Sequence, residues 1–115
     1  MTITVYGIKN CDTMKKTFAW LDAHGIDYTY HDYKKSGVDM GLLKKAMDIH
    51  GWENVINRKG MTWRQLPEKD RETMSREQAE LLADAKPAII KRPIIAKGDE
   101  ILLGFDQDIF EEKLK

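Results

Sequence analysis

The chain has 115 residues, 42% of them hydrophobic and 33% charged, and its 19 basic residues balance 19 acidic ones. This length and composition favour one folded domain with its own core, and the zero net charge argues against nucleic acid or membrane partners. One cysteine excludes a disulfide framework and a thiolate zinc cage, and no apolar run reaches the roughly 18 residues of a membrane helix, so we expect a cytoplasmic protein.

The N-terminal part of the chain predicts a β-α-β unit. Met1–Gly7 alternates apolar and polar residues, as a half-buried strand does. Asn10 is the predicted N-cap of a helix that ends near Gly25, and Ile26–Tyr33 alternates again as a second strand. This arrangement puts Cys11 where the first strand leads into the first helix.

The middle of the chain, residues 38–86, is predicted to be mostly helical. A polar turn at Lys34–Gly37 precedes a helix that closes near His50-Gly51, and Asn57–Gly60 reads as a basic loop. Ser75–Gln78 has the form of a capping box at the start of a further helix.

The C-terminal part predicts a β-β-α unit. Ile94–Ala96 and Ile101–Leu103 form a hairpin with Gly98-Asp99 at its tip, and Asp106 is the predicted cap of a last helix. The order β-α-β, helices, β-β-α indicates an α/β fold with a helical insert.

Cys11 is the first candidate for chemistry. A cysteine at a helix N-terminus is near the positive end of the helix dipole and near unpaired N–H groups, and both favour the thiolate. Lys9, Lys15 and Lys16 add positive charge and Asp12 opposes it, so we expect a lowered pKa. A lone cysteine can equally be a small buried hydrophobe, and the residues by themselves leave both interpretations open.

Other residues are less specific. Pro93 opens a predicted strand, where a proline can be cis or can simply tolerate the loss of its N–H. The three histidines lack the spacing of metal ligands, so no metal site is expected. Besides Lys15-Lys16, four basic pairs are scattered along the chain, and the sequence does not show that they converge: Lys34-Lys35, Lys44-Lys45, Arg58-Lys59 and Lys91-Arg92.

The segment Val5–Lys16 closely resembles the opening of the arsenate reductase (ArsC)/Spx family, particularly its small YffB-like branch. The resemblance covers essentially the whole chain and implies one thioredoxin-like domain over residues 1–115, with a four-stranded mixed sheet and the insert at 38–86. Further motifs of the same branch follow in the same order: His31-Asp32-Tyr33, Asn57-Arg58-Lys59-Gly60, Thr62-Trp63-Arg64, Lys91-Arg92-Pro93-Ile94 and Leu103-Gly104-Phe105.

The resemblance also implies a site. Cys11 matches the family's catalytic cysteine, and Arg58 and Arg92 match two of the arginines that surround the oxyanion in arsenate reductases. Pro93 matches the cis-proline of thioredoxin-like folds, where the backbone just before it pairs with the peptide-like part of a thiol such as glutathione. Asn10, next to the cysteine, is grouped with these anion- and substrate-binding residues.

Two departures from the family pattern shape the functional expectation. Met14 removes the CxxC switch of Spx-type regulators, so no intramolecular disulfide can form. Leu103–Phe105 stands where arsenate reductases carry a third oxyanion arginine, which weakens the arsenate assignment. The expected function is a glutathione-dependent, single-cysteine thiol oxidoreductase.

The expected co-substrate is glutathione, with glutaredoxin as a further candidate partner and no bound cofactor. Two alternatives stay open from the sequence. One is an arsenate reductase linked to glutathione or glutaredoxin. The other is a non-enzymatic Spx-like regulator that binds a protein such as RNA polymerase.

Overall fold

A computed structural model describes residues 2–115, which form two units. The first contains the residues up to Ser36 together with Arg92–Lys115, and the second contains Gly37–Lys91. Met1, the first residue of the predicted N-terminal strand, lies outside the described residues.

The first unit is built on a mixed sheet that has, within residues 2–115, four strands in the order β2-β1-β3-β4. β1 (Ile3–Gly7) lies parallel to β2 (Thr29–Asp32) and antiparallel to β3 (Ile94–Lys97), which pairs antiparallel with β4 (Glu100–Leu103). Alternate residues of the central strand β1 are buried, as a pleated strand requires. The predicted α/β, thioredoxin-like fold is confirmed.

The core of the first unit joins this sheet to α1 (Asp12–Ala23) and α8 (Gln107–Lys113). Asp106 caps α8 as predicted, because its Oδ1 accepts hydrogen bonds from two backbone N–H groups of the first turn, at 3.0 and 3.2 Å. Burying each large apolar side chain of this cluster is worth about 1.5–3 kcal/mol. Its buried members are Ile3, Val5, Met14, Trp20, Leu21, Ile95, Phe110 and Leu114.

The first helix and the second strand begin later than predicted. Cys11, not Asn10, is the N-cap of α1, with an extended backbone (φ −151°, ψ 134°). The reason is a tight turn in which the Cys11 N–H donates to the Lys9 carbonyl at 3.0 Å. At the other end of α1, the Ile26 N–H still donates to the Leu21 carbonyl, so pairing of β2 with β1 starts only at Thr29.

The segment after β2 also differs from the prediction. Tyr33–Ser36 forms one helical turn, α2, where a polar turn over Lys34–Gly37 was expected. Asp32 explains the difference, because its Oδ1 accepts a hydrogen bond from the Lys34 N–H at 2.9 Å and so starts the turn as a cap does.

The second unit is mostly helical, which confirms the prediction for residues 38–86. The capping box at Ser75 is present, with Gln78 and Ser75 each accepting a hydrogen bond from the other's backbone N–H. No helix among residues 2–115 combines the length and the apolar character needed to cross a bilayer. The helices of the second unit are α3 (Met40–His50), α4 (Trp52–Val55), α5 (Met61–Arg64), α6 (Glu68–Glu72) and α7 (Arg76–Ala85), followed by a 3-10 turn at Pro87–Ile89.

Candidate active site

Cys11 is held at the junction of β1 and α1. Its N–H donates to the Lys9 carbonyl, and its own carbonyl accepts from the Lys15 N–H as the first hydrogen bond of the helix, both at 3.0 Å. The side chain packs against the edge of the core but stays partly exposed. This placement is that of an accessible thiol rather than of a buried hydrophobe.

The surroundings of the thiol lower the pKa of Cys11. Burial by itself raises that pKa, but the backbone N–H groups of Met14 and Thr13, the charge of Arg92 and the Thr13 hydroxyl together outweigh burial. These N–H groups belong to the first turn of the helix, where free N–H groups carry the positive end of the helix dipole. The direction of the shift agrees with the one expected from the sequence.

The charge that acts on the thiol differs from the sequence-based prediction. The three lysines near Cys11 in sequence were expected to supply it, whereas Arg92, eighty-one positions away, is the cation that lowers the pKa. The contribution of the helix N–H groups was predicted, because residues two and three places after an N-cap direct free N–H groups at the cap side chain. The contribution of the Thr13 hydroxyl was missed.

The Arg92-Pro93 peptide bond is cis, which confirms the prediction for Pro93. The bond immediately precedes β3, and the β1–β3 register pairs Tyr6 with Ile94. The start of β3 therefore lies beside the end of β1, from which the chain continues to the cysteine. Neither the N–H nor the carbonyl of Arg92 has a backbone hydrogen-bond partner among residues 2–115.

Gly7 ends β1 where Met14 and Arg92 both approach the backbone. A Cβ at position 7 would lie 3.6 Å from the Arg92 Cγ and nearer still to the Met14 side chain. A residue without a side chain is therefore needed here for the helix and the arginine to approach this strand end.

The segment after β4 carries no third arginine, as expected from the sequence. Gly104 is buried, has a φ of +82°, and donates its N–H to the Pro93 carbonyl at 2.8 Å. Its neighbour Phe105 packs edge-on against Phe110, with 5.3 Å between ring centroids. The segment thus supports the backbone next to the cis-proline and supplies no cation.

Arg92 also acts on Tyr30 of β2. Burial and the carboxylate of Asp32 raise the pKa of Tyr30, and the charge of Arg92 offsets part of that rise. The Tyr30 hydroxyl is buried and has no hydrogen-bond partner within the described part of the chain. The guanidinium of Arg92 therefore influences both the thiol and the edge strand.

The five predicted site residues divide between the two units. Cys11, Arg92 and Pro93 belong to the first unit, with the exposed Asn10 in the loop before the cysteine. Arg58 belongs to the second unit, where it is exposed and its Nε donates to the Glu53 carbonyl at 3.1 Å. Within residues 2–115, no three His, Cys, Asp or Glu side chains are grouped as metal ligands are.

A partly exposed cysteine with a lowered pKa at the start of the first helix, and a cis-proline at the start of the third strand, define a thioredoxin-like protein with one thiol. The arrangement can present a thiolate that is stabilised by the charge of a guanidinium, in a fold where the N–H and carbonyl of Arg92 have no backbone partner within residues 2–115. The chain belongs to the ArsC family, whose sequence profile matches residues 6–113.

Individual relatives agree with this assignment. The chain is 42% identical to the YffB protein, with a TM-score of 0.94 over 99% of this chain and 100% of that one. It is 44% identical to an arsenate reductase (ArsC) related protein from Brucella melitensis, with a TM-score of 0.79 over 100% and 96% of the two chains. An uncharacterized protein of Haemophilus influenzae is 39% identical over 109 residues, which are 95% of this chain and 96% of that protein. The family assignment made from the motifs is confirmed.

Proposed function

We propose that this ArsC-family protein is a glutathione-dependent thiol oxidoreductase of the cytoplasm that works through Cys11 alone. The observation that carries the proposal is the lowered pKa of a partly exposed thiol whose thiolate is favoured by Arg92. A thiolate is the nucleophile in thiol–disulfide exchange, so a lowered pKa increases the reactive fraction near neutral pH.

The reaction proceeds in two exchanges. The Cys11 thiolate attacks the glutathione sulfur of a mixed disulfide, a new S–S bond forms to Cys11, and the substrate leaves as a thiolate that takes a proton from water. A glutathione thiolate then attacks the glutathione sulfur on Cys11. This second exchange releases oxidised glutathione and regenerates the Cys11 thiolate. Each turnover therefore consumes one glutathione thiolate, which supplies the electron pair, and the other glutathione of the product comes from the mixed disulfide.

The backbone before Pro93 supports a peptide-like co-substrate. The N–H and the carbonyl of Arg92 have no backbone hydrogen-bond partner within the described residues, and an extended peptide can fill such positions by strand-like pairing. The neighbouring Pro93 carbonyl is already held by the Gly104 N–H at 2.8 Å, which fixes the position of this segment. Arg92 would also pair with a carboxylate of the co-substrate.

The intact mass after incubation with oxidised glutathione tests this proposal. We expect a gain of one glutathionyl group that is reversed by reduced glutathione, together with catalytic reduction of a small glutathione mixed disulfide. Cys11→Ser should abolish both. Arg92→Gln should slow adduct formation, whereas Arg64→Gln is the matched control because Arg64 is an exposed arginine in the second unit.

The alternatives give different results in the same preparation. An unreactive Cys11 combined with stoichiometric capture of a protein partner would contradict the oxidoreductase and favour a regulator. Reduction of arsenate as efficient as that of the mixed disulfide would favour an arsenate reductase.

A further inference from the structure

The second unit contains a groove in which two basic segments, distant in sequence, come together. The groove has a volume of about 320 Å³ and includes Arg58, Lys59 and Lys91 among its lining residues, with Glu53 as its one carboxylate among the described residues. We call it the basic groove. The resemblance to the family assigned a role to Arg58 but none to Lys59 or Lys91.

A short backbone bridge holds the two segments together. Ile56 and Ile90 form an isolated antiparallel bridge, and both side chains are buried. The cations are therefore attached to a fixed backbone, although their side chains are exposed. Two hydrogen bonds of 2.8 Å flank the bridge, from the Asn57 N–H to the Ile89 carbonyl and from the Lys91 N–H to the Val55 carbonyl.

The loop that carries Arg58 and Lys59 is also fixed. The Asn57 side chain accepts a hydrogen bond from the Lys59 N–H at 3.3 Å, and the Asn57 carbonyl accepts one from the Gly60 N–H at 3.2 Å. Arg58 donates its Nε to the Glu53 carbonyl, which orients the guanidinium and leaves its two terminal NH₂ groups for a ligand. A guanidinium with two free NH₂ groups can form two hydrogen bonds to the oxygens of one phosphate or carboxylate.

The charges of the basic groove are not neutralised. None of its three cations has an ion-pair partner within residues 2–115, where the ion pairs involve other residues. Three positive charges and one carboxylate leave a net charge of two positive charges. This net charge suits a doubly charged anion better than a ligand with one carboxylate. A phosphate monoester carries about −1.5 to −2 charges at neutral pH.

We propose that the basic groove binds a phosphate group, either inorganic phosphate or the terminal phosphate of a small molecule. Arg58 engages two phosphate oxygens through its terminal NH₂ groups, and Lys59 and Lys91, which line the same groove, add point charges. The volume is at the low end of the range of about 300–1,000 Å³ usual for small-molecule pockets, which suits a small phosphorylated ligand. This site does not include Cys11, so the phosphate-binding proposal can be tested independently of the proposed thiol chemistry.

An NMR titration of the ¹⁵N-labelled full chain tests the proposal at constant ionic strength. Inorganic phosphate and glycerol 3-phosphate are the probes, and acetate and glycerol are the controls. We expect saturable amide shifts confined to residues 53–60 and 89–91 with both phosphates, and much weaker binding of acetate. Tighter binding of glycerol 3-phosphate identifies an esterified phosphate as the ligand, and equal binding identifies inorganic phosphate.

Charge variants decide whether the basic groove is responsible. Lys59→Gln and Lys91→Gln should each weaken phosphate binding about threefold to tenfold, as expected for an exposed cation beside a doubly charged ligand. Lys45→Gln, an exposed lysine of α3 outside the groove, should leave binding unchanged, and Cys11→Ser should also retain it. Shifts that do not saturate, that spread over exposed lysines generally, or that weaken equally in Lys45→Gln would overturn the proposal.

Discussion

Met14 packs directly against the backbone of Gly7: a Cβ at position 7 would lie 2.6 Å from the Met14 Sδ and 2.7 Å from its Cε. Met14 is fully buried, so its side chain has little space into which it could move. The N–H of the same methionine is one of the groups that lower the pKa of Cys11. The contact between Gly7 and Met14 therefore sets how closely the start of α1 approaches the end of β1.

Gly7→Ala should destabilise the fold by about 1–3 kcal/mol, the usual cost of overpacking a core. The measurement is urea unfolding. Gly41→Ala in α3 is the control, because an added Cβ there meets only Asp39 Oδ1 at 3.5 Å, and alanine is favoured over glycine in a helix. If the Met14 contact is the cause, Gly7→Ala should cost less in a Met14→Ala background. The same cost in both backgrounds would show that the contact is not responsible.

The alkylation rate of Cys11 should follow a titration whose midpoint lies below the free-thiol pKa of about 8.5, because helix N–H groups and Arg92 favour the thiolate. Arg92→Gln should raise that midpoint. Lys15→Gln should change it less, although Lys15 is closer in sequence. Iodoacetamide labelling followed against pH gives both values, and a midpoint at or above the free-thiol pKa would remove the basis for the proposed chemistry.

The thiolate should also contribute to folding stability in a pH-dependent way. Because the folded pKa of Cys11 is lowered, the contribution is present above the unfolded pKa and is lost as pH falls through the folded pKa. The stability of the wild type relative to Cys11→Ser should therefore rise between neutral and mildly alkaline pH. Chemical denaturation of both proteins across that interval measures the difference, and a falling difference would contradict the direction of the shift.

Arsenate should be reduced much less efficiently than a glutathione mixed disulfide. A compact oxyanion needs several converging donors, and the chain offers no cation at Gly104 or Phe105. A missing charge-assisted hydrogen bond is worth about 1.5–3 kcal/mol, which is about one to two decades in rate. Comparing kcat/KM for the two substrates tests this prediction, and similar values would contradict it.

Introducing an arginine after β4, as a test of arsenate reduction, should also destabilise the protein. Gly104 is buried with a φ of +82°, so Gly104→Arg combines backbone strain with the burial of a charge. Phe105→Arg removes a ring that packs against Phe110. Both variants should lower the midpoint of thermal unfolding, so any gain in arsenate reduction must be measured on the folded fraction.

Features that depend on neighbours in sequence were predictable. The cap of α8 at Asp106 and the capping box at Ser75 are recognisable because side chain and backbone partners are within three residues of each other. The N-cap of α1 was predicted at Asn10 because asparagine caps better than cysteine. The turn that bonds the Cys11 N–H to the Lys9 carbonyl overrides that preference and moves the helix start by one residue.

Features that depend on strand pairing were not predictable from local pattern. The influence of Arg92 on Cys11 requires β3 to lie beside β1, and the resemblance to a family, rather than the spacing of residues, pointed to Arg92. Lys59 and Lys91 line the same groove because the Ile56–Ile90 bridge brings their segments together, and this bridge has no sequence signature. The contribution of the neighbouring lysines to the pKa of Cys11 was overestimated, because residues close in sequence were assumed to be close in space.

The buried methionine at position 14 has a kinetic consequence for any disulfide at Cys11. In a CxxC motif that begins at Cys11, the second thiol would be at position 14. A buried methionine occupies that position, and the chain has no other cysteine. Once Cys11 is joined to another sulfur, release is a second-order event whose rate rises in proportion to the surrounding thiol concentration. The lifetime of the modified protein is therefore set by the thiol pool of its compartment, and not by a rearrangement within the molecule.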